Sequence, residues 1–148
     1  MGRRVLWMLL VLLLGFIWGH SLQNGTASQA ESQSVLHLAL ARWGNLPGMD
    51  CLNFYTIRKL AHLTEFAALG MVLSGLAGLY GKRNLFSVLF WGACVGTVDE
   101  GIQLFSPGRS AQVSDVLLDT CGVLAGALVL RLVCRLVRGE RTKERSGQ

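Results

Sequence analysis

Charged side chains are scarce in this chain. They make up 16% of its 148 residues, whereas a soluble domain usually carries about 25%. Apolar residues reach 51% and the mean hydropathy is +0.44, which argues against an ordinary soluble α/β or all-β domain and against a disordered chain. Proline is rare as well, with two residues against eighteen glycines. That balance suits closely packed membrane helices.

The sequence also lacks the spacing of a metal site or of a disulfide framework. None of the four cysteines belongs to a C-x-x-C pair, and no other ligand spacing indicates a metal, so we assign none. The formal net charge is +5, but the basic residues stand in short runs beside apolar stretches. This placement indicates membrane topology rather than a phosphate-binding face, so we expect no nucleic-acid partner.

Four apolar segments are long enough to cross a lipid bilayer. The last three have 21 residues each, which span about 32 Å as helices against a bilayer core of about 30 Å. The alternation typical of strands is absent. We therefore predict an all-α integral membrane bundle of four transmembrane helices within residues 1–134, followed by a basic cytoplasmic tail at 135–148. The predicted helices are 5–22, 60–80, 85–105 and 113–133.

The first apolar segment has two interpretations. Its basic start and the small residues Ser28 and Ala30 are compatible with a cleaved signal peptide. Retention as a helix fits better, because the segment continues through Gly19 to Leu22. After it, residues 23–34 are polar and are predicted to be a mobile loop, and residues 35–46 are apolar enough to lie along the membrane interface.

Basic residues favour one orientation of the bundle. With a cytoplasmic N-terminus, ten basic residues lie inside and four outside, which by the positive-inside rule predicts that both termini are cytoplasmic. The chain is then a multi-pass protein of the cell membrane, with the lipid bilayer as its partner. The inside residues are Arg3, Arg4, Lys82, Arg83, Arg131, Arg135, Arg138, Arg141, Lys143 and Arg145, and the outside ones are Arg42, Arg58, Lys59 and Arg109.

Ionisable residues within the predicted spans are the strongest functional signal. A charge at membrane depth costs about 2.5–3.5 kcal/mol on insertion scales, so each one needs a reason. Apart from Arg131 at the inner end of the fourth helix, the topology places those of the last three helices at the outer ends, where Gln103 and the loop residue Arg109 join them around a predicted polar pocket. They are Lys59, His62 and Glu65 on the second helix, Asp99, Glu100 and Gln103 on the third, Asp115 and Asp119 on the fourth, and Arg109 in the loop between the last two.

Small residues share the faces that carry these polar groups. Ridges of this kind let membrane helices approach closely, so we predict a tight bundle that opens at its outer end. The ridges are Gly70, Ser74 and Gly78 on the second helix, Gly92 and Gly96 on the third, and Gly122 and Gly126 on the fourth.

Together the ordered motifs resemble the VanZ-like family over about residues 5–134. They are Arg58-Lys59-x-x-His62-x-x-Glu65-Phe66, Asp99-Glu100-x-x-Gln103-x-Phe105-x-Pro107-Gly108-Arg109, Asp115-x-x-x-Asp119-x-x-Gly122-x-x-x-Gly126, and Ser21-x-Gln23 after the first helix. The resemblance implies a small multi-pass bacterial membrane protein of the cell envelope. The namesake of the family is associated with resistance to the glycopeptide antibiotic teicoplanin. Two positions depart from the family pattern: Ile102 stands where His or an aromatic residue is frequent, and Asp119 where Asn is also common.

The same residues support two classes of function. In an enzyme, the candidate catalytic residues are His62, Glu65, Asp99 and Glu100, with His62 or Glu65 as general base and the other two orienting the reacting group or holding a divalent cation such as Mg²⁺.

The candidate binding residues are Lys59, Gln103, Arg109, Asp115 and Asp119, with Lys59 and Arg109 facing an anionic group such as the phosphate of a lipid-linked envelope precursor. In the alternative, a non-catalytic accessory protein binds cell-wall precursor or glycopeptide, or uses these residues only to hold the helices together. Proton or ion transport is disfavoured, because the inner halves of the second and third helices carry no ionisable residue.

Overall fold

The computed structural model describes residues 2–81 and 84–146, and these residues form helices without any strand. Four of the helices are long and apolar enough to cross a membrane, which confirms the predicted fold class. The helices are α1 (Gly2–Ser21), α2 (Gly25–Trp43), α3 (Phe54–Leu79), α4 (Leu85–Leu104) and α5 (Val113–Ser146), and a short 3₁₀ turn, Met49–Cys51, precedes α3.

Some residues of the sequence predictions lie outside the described part of the chain. Lys82 and Arg83, which contribute to the predicted orientation, are among them, as are residues 147–148 of the predicted tail. Within the described residues, α5 runs without a break from the apolar segment into the basic residues and ends at Ser146.

Helix α2 was not predicted, because residues 23–34 were expected to form a mobile loop. Asn24 caps the helix by accepting a hydrogen bond from the Ala27 backbone N–H at 2.8 Å, and the Gly25 N–H donates to the Pro107 carbonyl at 2.8 Å. The buried face of its first half consists of Ser28 and Ser32. Because this face is small and polar rather than apolar, the segment has no hydrophobic periodicity from which a packed helix could be predicted.

Helix α3 begins six residues before its predicted apolar segment. The Asn53 side chain accepts a hydrogen bond from the Thr56 N–H at 2.9 Å, which fixes the N-terminus of the helix. The additional first turns carry Arg58, and they place Lys59 more than one turn inside the helix.

Helices α3 and α5 make the closest contact in the bundle, through glycine. A side chain at Gly126 would collide with the backbone carbonyl of Ala67, and one at Gly70 with that of Val123. A side chain at Gly122 would also come too close to the Leu63 carbonyl, though less severely. This backbone-to-backbone approach confirms the predicted glycine ridges at these positions.

The apolar core includes residues of both helices of this contact. It consists of six buried side chains from α1, α3, α4 and α5. Many large apolar side chains outside this core are exposed, as expected for helix surfaces that face lipid. The six core residues are Ile17, Phe66, Leu69, Val88, Val123 and Ala127.

Candidate functional site

The nine predicted site residues all lie at one end of the bundle, which we call the polar end. It is the end at which α1 and α4 finish and α3 and α5 begin. Within it the side chains divide into a hydrogen-bonded network, a cluster of a histidine with two aspartates, and a cavity lined by cations.

Arg109, in the loop between α4 and α5, ties this loop to α1 and α2. Its Nη1 donates to the carbonyls of His20 at 3.1 Å and Ser21 at 2.9 Å, and its Nη2 donates to the Ser28 hydroxyl at 3.2 Å. Carbonyls at a helix C-terminus have no partner within the helix, so the half-buried guanidinium of Arg109 stabilises the end of α1. Burial lowers the pKa of Arg109 from its ordinary value, and the positive charge of Arg58 lowers this pKa further. Arginine nevertheless keeps its charge at physiological pH.

Gln103 organises the carboxylates of α4. Its Nε2 donates to Asp99 Oδ2 at 2.9 Å and to Glu100 Oε1 at 3.1 Å, and its Oε1 accepts from Arg58 Nη2 at 3.2 Å. The second oxygen of Glu100 accepts from the Gln112 backbone N–H at 2.8 Å. Asp99, Glu100 and Gln103 are all buried, so this network fixes the end of α4 away from solvent.

Glu65 pairs with a histidine that the sequence analysis did not select. His20 Nδ1 lies 3.2 Å from Glu65 Oε1, and its Nε2 lies 3.2 Å from Glu31 Oε2. His20 therefore bridges α2 and α3 from the end of α1. Only 11% of the Glu65 side chain is exposed. Its polar partner is the His20 imidazole and not Lys59, which pairs with Asp115.

A second histidine forms a cluster with two aspartates from neighbouring helices. His62 Nδ1 on α3 lies 3.9 Å from Asp99 Oδ2 on α4 and 3.7 Å from Asp119 Oδ1 on α5. All three residues are buried, and one potential ligand atom from each falls within 4.8 Å of the others. The three positions are far apart in sequence, which is why no ligand spacing indicated this arrangement.

A cavity of about 320 Å³ opens beside this cluster. Three cations line it, namely Arg58, Lys59 and Arg109. The lining contains one carboxylate, Asp115, whose Oδ1 lies 3.5 Å from Lys59 Nζ. His62 reaches the same cavity. The other lining residues are Tyr55, Gly108, Ser110, Gln112 and Leu118.

The family follows from the whole chain rather than from any one of these groups. Residues 6–135 match the family model described as VanZ/LLP1. The chain belongs to the VanZ/LLP1 family. No curated protein and no solved structure matches it. The predicted resemblance is confirmed, and this VanZ/LLP1 chain is a membrane protein of four apolar helices.

Several polar contacts of this VanZ/LLP1 protein escaped the sequence analysis. Arg58 was placed outside by topology but was not assigned to the pocket, although it both lines the cavity and contacts Gln103. His20 and Ser28 were missed because their contacts with Glu65 and Arg109 join residues more than 40 positions apart in sequence. The position of His20 at the last turn of an apolar helix was the one available signal, since an ionisable residue there needs a partner.

Proposed function

We propose that this VanZ/LLP1 protein binds the phosphate-bearing headgroup of lipid-linked cell-envelope material in the cavity at the polar end. The observation that carries the proposal is the charge of the lining, with Arg58, Lys59 and Arg109 against Asp115 alone. Guanidinium and ammonium groups are the usual partners of phosphate oxygens, and both are present.

The size of the cavity favours one of the two ligands implied by the family. Pockets for small molecules range from about 300 to 1,000 Å³, so about 320 Å³ suits a headgroup or a short phosphate segment. A glycopeptide antibiotic is a glycosylated heptapeptide and is too large for this space. We therefore attribute any glycopeptide resistance to the envelope material that the protein binds, and not to capture of the antibiotic.

The predicted orientation supports the same ligand. The basic residues favour cytoplasmic termini, and the polar end then opens toward the outer leaflet. Lipid-linked wall precursors expose their phosphates and sugars in that leaflet. Of the two candidate bases, His62 lines the cavity, whereas Glu65 is engaged by His20. Of these two, His62 is therefore the better candidate to contact a bound phosphate, beside the three cations.

The direct test is lipid binding by purified protein in detergent. Polyprenyl diphosphate should bind, and the uncharged polyprenol of the same length should not. Removal of one cavity cation, in Lys59→Ala, should weaken binding about tenfold, because one charge-assisted contact to a phosphate is lost. The matched control is Arg42→Ala, which removes an exposed cation from α2, outside the cavity lining. Equal binding of both lipids, or equal loss in the two variants, contradicts the proposal.

A cellular arm connects binding to resistance. Wild-type protein, Lys59→Ala and Arg42→Ala are expressed in a susceptible Gram-positive host, and inhibitory concentrations of teicoplanin and vancomycin are measured with membrane levels of each variant. We expect protection by the wild type and by Arg42→Ala and its loss in Lys59→Ala. Absence of protection by wild-type protein that binds the lipid removes the resistance role and leaves the binding role intact.

A purely structural role is the second candidate, and the contacts of Arg109 favour it. Its guanidinium donates hydrogen bonds to two backbone carbonyls and to the Ser28 hydroxyl. Under this role polyprenyl diphosphate does not bind, and substitutions of the polar residues act on stability alone.

A further inference from the structure

We propose that His62, Asp99 and Asp119 bind one divalent transition-metal cation, such as Zn²⁺ or Mn²⁺, where α3, α4 and α5 meet. This site shares only His62 with the cavity of the phosphate proposal, because Asp99 and Asp119 do not line that cavity. It also does not depend on that proposal, and it is tested without any lipid ligand.

The distances within the cluster fit an ion better than direct hydrogen bonds. His62 Nδ1 lies 3.9 Å from Asp99 Oδ2 and 3.7 Å from Asp119 Oδ1, beyond the usual hydrogen-bond range of about 2.7–3.2 Å. Ligands held about 2.1 Å from one ion are separated from each other by about 3.0–3.6 Å. Small side-chain rotations therefore suffice to place one ligand atom from each of the three residues around a single ion.

Buried polar atoms without a partner surround this centre. Asp119 is completely buried, and neither of its carboxylate oxygens has a hydrogen-bond partner among the described residues; the same holds for Asp99 Oδ1 and His62 Nδ1. Unpaired buried carboxylates are strongly unfavourable. A proton on His62 supplies one positive charge against two carboxylates, whereas a divalent ion with a neutral imidazole balances both.

Gln103 supplies the kind of support that metal ligands have. It donates to Asp99 Oδ2 and so orients the carboxylate, while Oδ1 stays without a partner. Hydrogen bonds to ligating groups fix their orientation and tune the ion. An ion could reach the cluster through the neighbouring cavity, because His62 belongs to both.

The donor set selects the class of ion. One imidazole nitrogen and two carboxylate oxygens suit Zn²⁺, Mn²⁺ and Fe²⁺, whereas Mg²⁺ and Ca²⁺ prefer oxygen alone. The three protein ligands leave at least one coordination position for water, since Zn²⁺ takes four ligands and Mn²⁺ takes more.

The test measures metal content of the full chain in detergent. Protein stripped with a chelator is reloaded with Zn²⁺ or Mn²⁺, dialysed, and analysed by mass spectrometry for metal per chain. We expect about one equivalent in the wild type and at least tenfold weaker binding in Asp119→Asn. The matched control, Asp115→Asn, changes a carboxylate one turn earlier on α5 and should retain the ion, because Asp115 pairs with Lys59 outside the cluster.

A spectroscopic readout keeps the proposal falsifiable if Asp119→Asn does not fold. Wild-type protein loaded with Mn²⁺ should show, by pulsed electron paramagnetic resonance, coupling to the nitrogen of one imidazole. Less than a tenth of an equivalent in the wild type, absence of this nitrogen coupling, or equal retention by folded Asp119→Asn and Asp115→Asn overturns the metal site.

Discussion

Among single side chains, Arg109 makes the most widely distributed contacts at the polar end. Its two terminal nitrogens contact the last residues of α1 and the first half of α2 from a loop that precedes α5. A lysine at this position keeps the charge but cannot reproduce the fork of donors. The geometry of the guanidinium, and not only its charge, is therefore what the contacts require.

We predict that Arg109→Lys destabilises the protein by about 2–4 kcal/mol, because hydrogen bonds to a charged donor are lost and carbonyls are left without partners. The measurement is unfolding of purified protein in detergent, followed by circular dichroism. The comparison variant is Lys59→Ala. The Lys59 side chain is 55% exposed and its Nζ lies 3.5 Å from Asp115 Oδ1; an exposed ion pair contributes about 0–1 kcal/mol. Similar stabilities of the two variants would show that the Arg109 contacts contribute little.

The same scale limits what the sequence could predict about the site. Residue types and topology place His62, Asp99 and Asp119 at the same end of the bundle, and they do lie there. Which partner each polar group takes depends on the rotation of whole helices, and no local spacing encodes it. Glu65 is the clearest example, since its partner is His20 on another helix and not Lys59 on its own.

At the scale of the helices, the contact between α3 and α5 depends on the absence of side chains. Gly126 lies directly against the backbone of Ala67. Without a strong hydrophobic driving force between helices in lipid, such close packing is what holds a bundle together.

We predict that Gly126→Ala destabilises the bundle by about 1–3 kcal/mol, because the new methyl group forces two backbones apart. The control is Gly78→Ala on α3, where an added Cβ meets nothing within 4 Å. This variant should be neutral or slightly stabilising, because alanine favours helix more than glycine does. Unfolding titrations of both variants in detergent with increasing sodium dodecyl sulfate measure the difference. If Gly126→Ala matches Gly78→Ala, α3 and α5 do not approach this closely.

The elements also show why four helices were predictable and one was not. Length and hydropathy identify a span because lipid requires a continuous apolar helix. Helix α2 packs through Ser28 and Ser32 and is capped by Asn24, so its stability comes from tertiary contacts that composition does not reveal. The early start of α3 was missed for a related reason. Arg58 and Lys59 interrupt the apolar pattern from which the span was predicted.

For the whole molecule, the orientation in the membrane decides which compartment the polar end faces. Cys51, in the 3₁₀ turn before α3, is exposed at this end, whereas Cys134 lies in the second half of α5. The chain thus carries a native reporter on each side of the bundle.

We predict that a membrane-impermeant maleimide added to intact cells labels Cys51, because the distribution of basic residues favours an orientation with the polar end outside. Mass spectrometry of tryptic peptides from the purified protein locates the label. In Cys51→Ser, this protein should no longer be labelled when the reagent is added to intact cells. Labelling of Cys51 only after the membrane is permeabilised would reverse the orientation and remove the support for an outer-leaflet ligand.

The contacts at the end of α1 also carry a consequence for biosynthesis. Ser21 is made early, but its carbonyl is bound by the Ser106 hydroxyl at 2.9 Å and by Arg109. The ribosome must therefore translate more than 80 further residues before the first span acquires these partners. Completion of the polar end is then a late step of insertion, and a nascent chain that stops before the loop between α4 and α5 leaves its first helix without that anchor.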